Sequence, residues 1–258
     1  MSAPPRYQFV DCRWELGRPE QGRELYLAGH IPGASFLDTE RDLSSPPGSR
    51  GRHPLPSDEQ FAEAAGRAGI GDGVFVVAYG SMGGAERLWW LLRHFGHDDC
   101  AVLELGGWLG PLRAGKEEPE PQEFTPRASA GDTIEADGLQ KRLDELVLLD
   151  ARIPKRYRGD VEPIDPRPGH VPGARSAPFT GNLTKDAIPV FLPAEALRAR
   201  YAELGADREE PVVYCGSGVT ACHDLLALHL AGLRGRLYAG SWSAWSSEPS
   251  LPVETGDG

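Results

Sequence analysis

The chain has 258 residues, a hydrophobic fraction of 40% and a formal charge of −11 at neutral pH. Its length accommodates two cores at the usual domain size of roughly 100–200 residues, and its acidity argues against a nucleic-acid partner, which needs clustered Lys and Arg to release counterions. A charged fraction of 25%, with no apolar run long enough to span a bilayer and no signal-peptide core in MSAPPRYQFV, argues against a membrane and points to the cytoplasm.

In chain order, the first landmark is FVDCRW around Asp11, followed by a turn GHIPGA at residues 29–34. Ser57 is a candidate N-cap for a helix over SDEQFAEAAGRAG, and the apolar run VFVVAYG at residues 74–80 predicts a strand. A loop Gly80-Ser81-Met82-Gly83-Gly84, a helical run and LGGW ending at Trp108 complete this half. Residues 111–128, rich in Pro and charge without periodicity, read as a linker. The same landmarks then return in the same order: LLDARI around Asp150, GHVPGA at residues 169–174, a helical stretch PAEALRARYAELGA, a strand PVVY, and AGSW ending at Trp242.

This internal duplication sets the expected architecture: an α/β fold of two tandem domains, residues 1–128 and 129–258, each with a mainly parallel sheet flanked by helices. Matching the two apolar runs sets Tyr79 opposite Cys215 and leaves the first loop without a thiol. The paired GHIPGA and GHVPGA turns, occurring in both halves, read as fold elements, so His30 and His170 are poor catalytic candidates and Asp150 is structural. Trp242 and Trp245 read as packing residues.

The chemistry concentrates at Cys215, between the end of PVVY and a helix over ACHDLLALHLAG. Gly216, Ser217, Gly218, Val219 and Thr220 form the intervening loop, in which glycines let backbone N–H groups turn inward while the helix start adds positive potential. Both effects favour a thiolate and would equally hold a persulfide anion. The bland alternative is a small buried cysteine at a strand end. A phosphatase loop would place an arginine at the sixth position after the cysteine, where this chain has Ala221. Cys12, Cys100 and Cys222 form no CxxC pair and no metal motif, and they read as reduced, packed thiols.

Tandem halves carrying D-x-R, GHIPGA-type turns, an empty first loop and Cys-Gly-Ser-Gly-Val-Thr in the second resemble the rhodanese-fold sulfurtransferases over nearly the whole chain. Within that group the loop is similar to that of the 3-mercaptopyruvate sulfurtransferases, whereas thiosulfate-specific relatives carry basic residues there. The resemblance implies substrate-binding arginines at Arg156 and Arg167, catalytic roles for Cys215 and Ser217, and a histidine at His53 supplied by the first half. The family's relay aspartate falls nearest Glu40, with Asp38 adjacent. It further implies a small-molecule sulfur donor, a thiol or cyanide acceptor of which a thioredoxin-like protein is one form, and no metal or organic cofactor. Thiosulfate as donor, and a sulfur-relay or regulatory binding protein without a small donor, remain alternatives, as does a purely structural tandem domain.

Overall fold

The first half of the chain builds a four-stranded parallel sheet from β1 (Arg6–Cys12), β2 (Ser35–Phe36), β3 (Val74–Gly80) and β4 (Cys100–Leu103), in the spatial order β2-β1-β3-β4. The structure, a computed structural model, describes residues 6–104 and 107–257, so Leu105 and Gly106 of LGGW fall outside it. Alternating burial along β3 matches the pleat of a sheet covered by α1 (Gln21–Ala28), α2 (Asp58–Arg67) and α3 (Gly84–His94). Ser57 is the N-cap of α2, its hydroxyl accepting from Gln60 N at 3.2 Å, and Asp58 and Glu59 in the first turn suit the helix dipole.

The second half repeats the plan. Helix α4 (Ala136–Gln140) precedes β5 (Leu148–Asp150) and α5 (Pro154–Tyr157); β6 (Arg175–Ser176), α6 (Ala194–Glu203), β7 (Val212–Tyr214), α7 (Ala221–Leu230), β8 (Arg236–Leu237) and α8 (Ser241–Trp245) follow. Its sheet is again parallel, in the order β6-β5-β7-β8. Tyr157, Tyr214, Tyr238, Trp242 and Trp245 fill the core on one side of it, and both tryptophans are fully buried.

Two features depart from the sequence expectation. Residues 111–128 do not hang free: Gln122 N bonds Gly66 O at 3.0 Å, Arg127 N bonds Phe95 O at 2.9 Å, and Phe124 packs edge-on against Phe61. One aromatic ring and a few main-chain bonds suffice to lay a Pro-rich segment on the first unit. The chain also divides unevenly, with Pro46–Pro54 belonging to the second compact unit together with Ala130 onward, while Leu55–Ser129 returns to the first. A single cut near residue 128 misses that excursion.

Helix α7 is buried on all sides along most of its length, and its first turn carries Asp224, fully buried. Oδ1 accepts from Asn182 Nδ2 at 2.7 Å, while Oδ2 has no hydrogen-bond partner among the described residues. Burial pushes this carboxyl up from 3.8 to about 7, against the opposing pull of His223 and Arg200. Between those two values the folded chain keeps a proton that the unfolded chain releases, so stability is greatest at the acid end of the window and falls as pH rises through it. Asp224→Asn is expected to remove this slope: urea denaturation should show no gain over the parent near pH 4 and a gain of up to about 4 kcal/mol at pH 8. A gain independent of pH would show that Asp224 is not the group responsible.

Candidate active site around Cys215

Each half is braced by the same buried device. Arg13 Nε bonds both oxygens of Asp11 at 3.0 Å and Nη2 reaches Gly29 O at 2.7 Å; Arg152 Nε bonds Asp150 at 3.0 and 3.1 Å and Nη2 reaches Gly169 O at 2.6 Å. His30 Nδ1 lies 2.8 Å from Tyr26 O with its ring stacked on Tyr26, and His170 does the same on Tyr157. Both histidines are thus committed to their turns.

The register of the sheets corrects one sequence alignment. Asp11 pairs with Tyr79 and Asp150 with Tyr214, and the two tyrosine hydroxyls accept equivalent amides, Ile31 N at 3.2 Å and Val171 N at 3.1 Å. Tyr79 therefore corresponds to Tyr214, and the position of Cys215 is taken in the first half by Gly80. The apolar runs match equally well one residue out of step; the strand pairing and the hydroxyl contacts together fix the register.

Cys215 follows β7 directly and α7 begins six residues later. Gly218 adopts φ +82°, which turns its N–H back to donate to Cys215 Sγ at 3.1 Å. A side chain could not replace it, since an added Cβ would lie 2.6 Å from Ala239 O. Val219 and Thr220 close the loop by accepting Cys222 N at 3.0 Å and His223 N at 3.1 Å. The start of α8 fixes the loop from the other side: Ser241 Oγ accepts Cys215 N at 3.1 Å, Trp242 N bonds Cys215 O at 2.9 Å, and Ser243 N bonds Gly216 O at 2.8 Å. Ser241, at φ +51°, holds this strained conformation through its bond to Tyr238 O. Its role was not evident in the sequence, where AGSW marks only a repeat.

His53 and Ser217, expected together, are together: Nδ1 lies 2.7 Å from Oγ, with both residues nearly buried. The Pro46–Pro54 segment that delivers His53 turns tightly through paired Gly48 and Gly51 amides, and Arg52 N donates to Ser243 Oγ at 3.0 Å. Cys215 itself is 1% exposed.

Of the two expected arginines, only Arg156 adjoins the loop. A Cβ built on Gly216 would stand 3.3 Å from Arg156 Nη1 and 3.4 Å from Nη2 of Arg52, a residue the sequence reading passed over although it precedes His53 directly. Arg167 instead spends its guanidinium on backbone: Nε bonds Ser246 O, Nη1 bonds Leu251 O, and Nη2 bonds Trp245 O and Glu248 O, all within 2.9 Å. It clamps the segment after α8. Asp38 and Glu40 lie in a turn of the first unit, where Asp38 Oδ1 accepts Glu40 N at 2.8 Å.

The other thiols suit packing. Cys222 Sγ donates to Gly218 O at 3.3 Å, and burial pushes the Cys12 and Cys100 thiols up, the latter to about 12, so that both stay protonated near neutrality. Among the described residues no group of three or more His, Cys, Asp or Glu could hold a metal ion, and no helix is long and apolar enough to cross a membrane.

Comparison with known proteins agrees with this geometry. The rhodanese-like domain matches twice, over residues 1–110 and 135–248. A Pseudomonas aeruginosa protein named "Probable 3-mercaptopyruvate sulfurtransferase" is 46% identical, covering 98% of this chain and 94% of its own. The thiosulfate sulfurtransferase of Cricetulus griseus is 36% identical over 98% of this chain and 89% of its own. The crystal structure of SseA from Escherichia coli, described as a 3-mercaptopyruvate sulfotransferase, superposes with a TM-score of 0.79 at 32% identity, covering 93% of this chain and 94% of that one.

The demand for glycine at position 218 is directly measurable. Gly218→Ala meets both the positive φ and the Ala239 carbonyl, whereas Gly173→Ala, at φ +74° with nothing within 4 Å, meets only the first. The expected loss is about 1 kcal/mol for Gly173→Ala and at least about 2 kcal/mol for Gly218→Ala by thermal or urea denaturation. Equal losses would mean that the close approach to Ala239 is not a constraint.

Proposed function

The chain belongs to the rhodanese-like family, and from that premise we propose that it is a sulfurtransferase carrying sulfur as a persulfide on Cys215, with 3-mercaptopyruvate as donor. The observation that carries the reading is the Gly218 amide aimed at Sγ from a loop that opens a helix, an arrangement that stabilises negative charge on sulfur before and after transfer. The near-complete burial of Cys215 favours a small donor over a bulky one.

Arg156 docks the donor's carboxylate, and the Cys215 thiolate attacks the donor sulfur. As the new S–S bond forms, the donor's C–S bond breaks and its electron pair moves to carbon as the enolate of pyruvate. The Ser217 hydroxyl, in contact with His53, delivers a proton to that carbon, and the proton lost from the donor thiol restores the pair. An acceptor thiolate or cyanide then attacks the outer sulfur, leaving as a persulfide or thiocyanate and returning the Cys215 thiolate. A thioredoxin-like protein fits the thiol acceptor, and four free cysteines fit a reducing cytoplasm. No cofactor enters this scheme. A second reading, thiosulfate as donor, draws support from the two guanidiniums beside Gly216, since positive charge suits a dianion.

Two measurements test the proposal. Intact mass after incubation with 3-mercaptopyruvate should rise by about 32 Da, one sulfur atom, and Cys215→Ala should abolish the gain. In steady state, kcat/KM should favour 3-mercaptopyruvate over thiosulfate, and Ser217→Ala should lower kcat for the former by about 100-fold or more. A strong preference for thiosulfate would transfer the assignment to the second reading.

A further inference from the structure

The two halves complete their bracing arginines differently. In the second, Arg152 holds Asp150 through Nε and Nη2, and two further groups finish its surroundings. Glu162 Oε2 accepts Nη1 at 3.4 Å, and the centroid of the Trp242 ring lies 4.7 Å from the guanidinium carbon. In the first, Arg13 holds Asp11 through the same two nitrogens, and the likeness ends there. Among the described residues Asp11 is the one carboxylate on Arg13, Nη1 makes no hydrogen bond, and no aromatic ring lies over the guanidinium as Trp242 lies over Arg152. The side chains differ accordingly in exposure, 2% for Arg152 and 14% for Arg13.

At Arg13 the difference takes the form of a cavity of about 180 Å³, walled by Gly29, Ile31 and Tyr79 among others. These are the counterparts of Gly169, Val171 and Tyr214, and the last two belong to the core cluster that holds Trp242. Trp108, which matches Trp242 in the repeat, stands at the wall instead. Its ring meets Phe9 edge-on at 5.8 Å, and its Nε1 donates to Pro111 O at 3.2 Å. Gly110 lies so close that an added Cβ would sit 2.6 Å from Trp108 Cζ2, and paired amides of His30 and Arg113, at 2.9 and 2.8 Å, tie down the chain beyond. Together these contacts hold the indole away from the guanidinium. Leu112, 61% exposed, lines the same cavity and gives it a rim at the surface.

We propose that this cavity is a ligand site for an arylalkanoate, a flat aromatic ring joined to a carboxylate by a short methylene linker. The second half shows what completes such an arginine: an aromatic face over the guanidinium and a second carboxylate on Nη1, both supplied by the chain itself. One small molecule supplies both at Arg13, its ring stacked on the guanidinium between Ile31, Tyr79 and Trp108 and its carboxylate on Nη1. The linker is needed because the ring lies above the guanidinium plane while the carboxylate bonds at its edge. Size agrees, since an apolar cavity of about 150 Å³ holds benzene, and mostly apolar walls with one directed polar group are the usual make-up of a small-ligand site. The site lies wholly within the first unit and stands independently of the sulfur chemistry at Cys215. The copy that carries no thiol thus keeps a binding function of its own.

The test is calorimetry and ligand-observed NMR on the full chain with phenylacetate and indole-3-acetate as probes. The parent is expected to bind them with a Kd of about 1 mM or tighter. Phenylacetamide, which keeps the ring and loses the charge, is expected to bind at least about tenfold more weakly. Leu112→Trp, which sets a large ring at the rim from an exposed position, is expected to weaken both acids about tenfold or more without lowering Tm. Failure of both acids to bind the parent overturns the proposal, as does equal affinity for phenylacetamide. Binding seen only in Trp108→Ala would assign the space to the chain's own indole, and binding lost in Arg156→Gln but unmoved by Leu112→Trp would place the probes at the reactive loop; either result overturns it.

Discussion

The active loop depends on a single turn of backbone. Gly218, at φ +82° and pressed against the Ala239 carbonyl, is what points an amide at the Cys215 sulfur instead of into the helix that follows. A non-glycine residue there is strained by about 1–3 kcal/mol before any clash is counted. The bonds from Ser241, Trp242 and Ser243 to the same loop explain why the segment after β8 turns so sharply: three groups must reach the main chain of Cys215 and Gly216 at once.

Around that turn the fold is conservative. Both halves tie the end of a central strand to a GH-x-PGA turn with an Asp–Arg pair, and both lock the turn with a stacked histidine and two tyrosine hydroxyls. Such buried pairs give little net stability over apolar packing, but removing one partner is severe, so they specify geometry more than they add strength. In the second half Arg152 also lies over the Trp242 ring at 4.7 Å, so one side chain connects brace, aromatic core and, through Glu162, the arginines beside the loop. In the first half Trp108 instead meets Phe9 edge-on, a small cavity of about 180 Å³ remains near Arg13, and glycine occupies the thiol's position. The scaffold was kept in both copies; the sulfur chemistry was not.

Much of this was legible in the residues. The strand over residues 74–80, the Ser57 cap, the α7 helix after a glycine loop and the order of the repeated landmarks all follow from local rules, because turn chemistry and periodicity act over a few positions. The pairing of His53 with Ser217 came from family likeness, since 164 residues separate them and no local pattern links them. What local rules could not supply were the partners of charges. Arg167 looked like a ligand-binding arginine and is consumed by carbonyls after α8; Arg52 looked unremarkable and stands at Gly216. A guanidinium's role is decided by which acceptors the tertiary fold brings to it, and that information is spread over four separate segments of the chain. The assignment of Tyr79 failed for a related reason, as a one-residue slip in an apolar run is invisible in its composition and is detected by the strand pairing and the hydroxyl contacts.

The excursion of Pro46–Pro54 changes what the duplication means. Nine residues encoded in the first copy complete the structure of the second, and they bring it an imidazole and a guanidinium that it does not itself encode. The two copies have therefore ceased to be interchangeable parcels: a gene truncated at the junction between them would preserve the reactive thiol in sequence while discarding its neighbours.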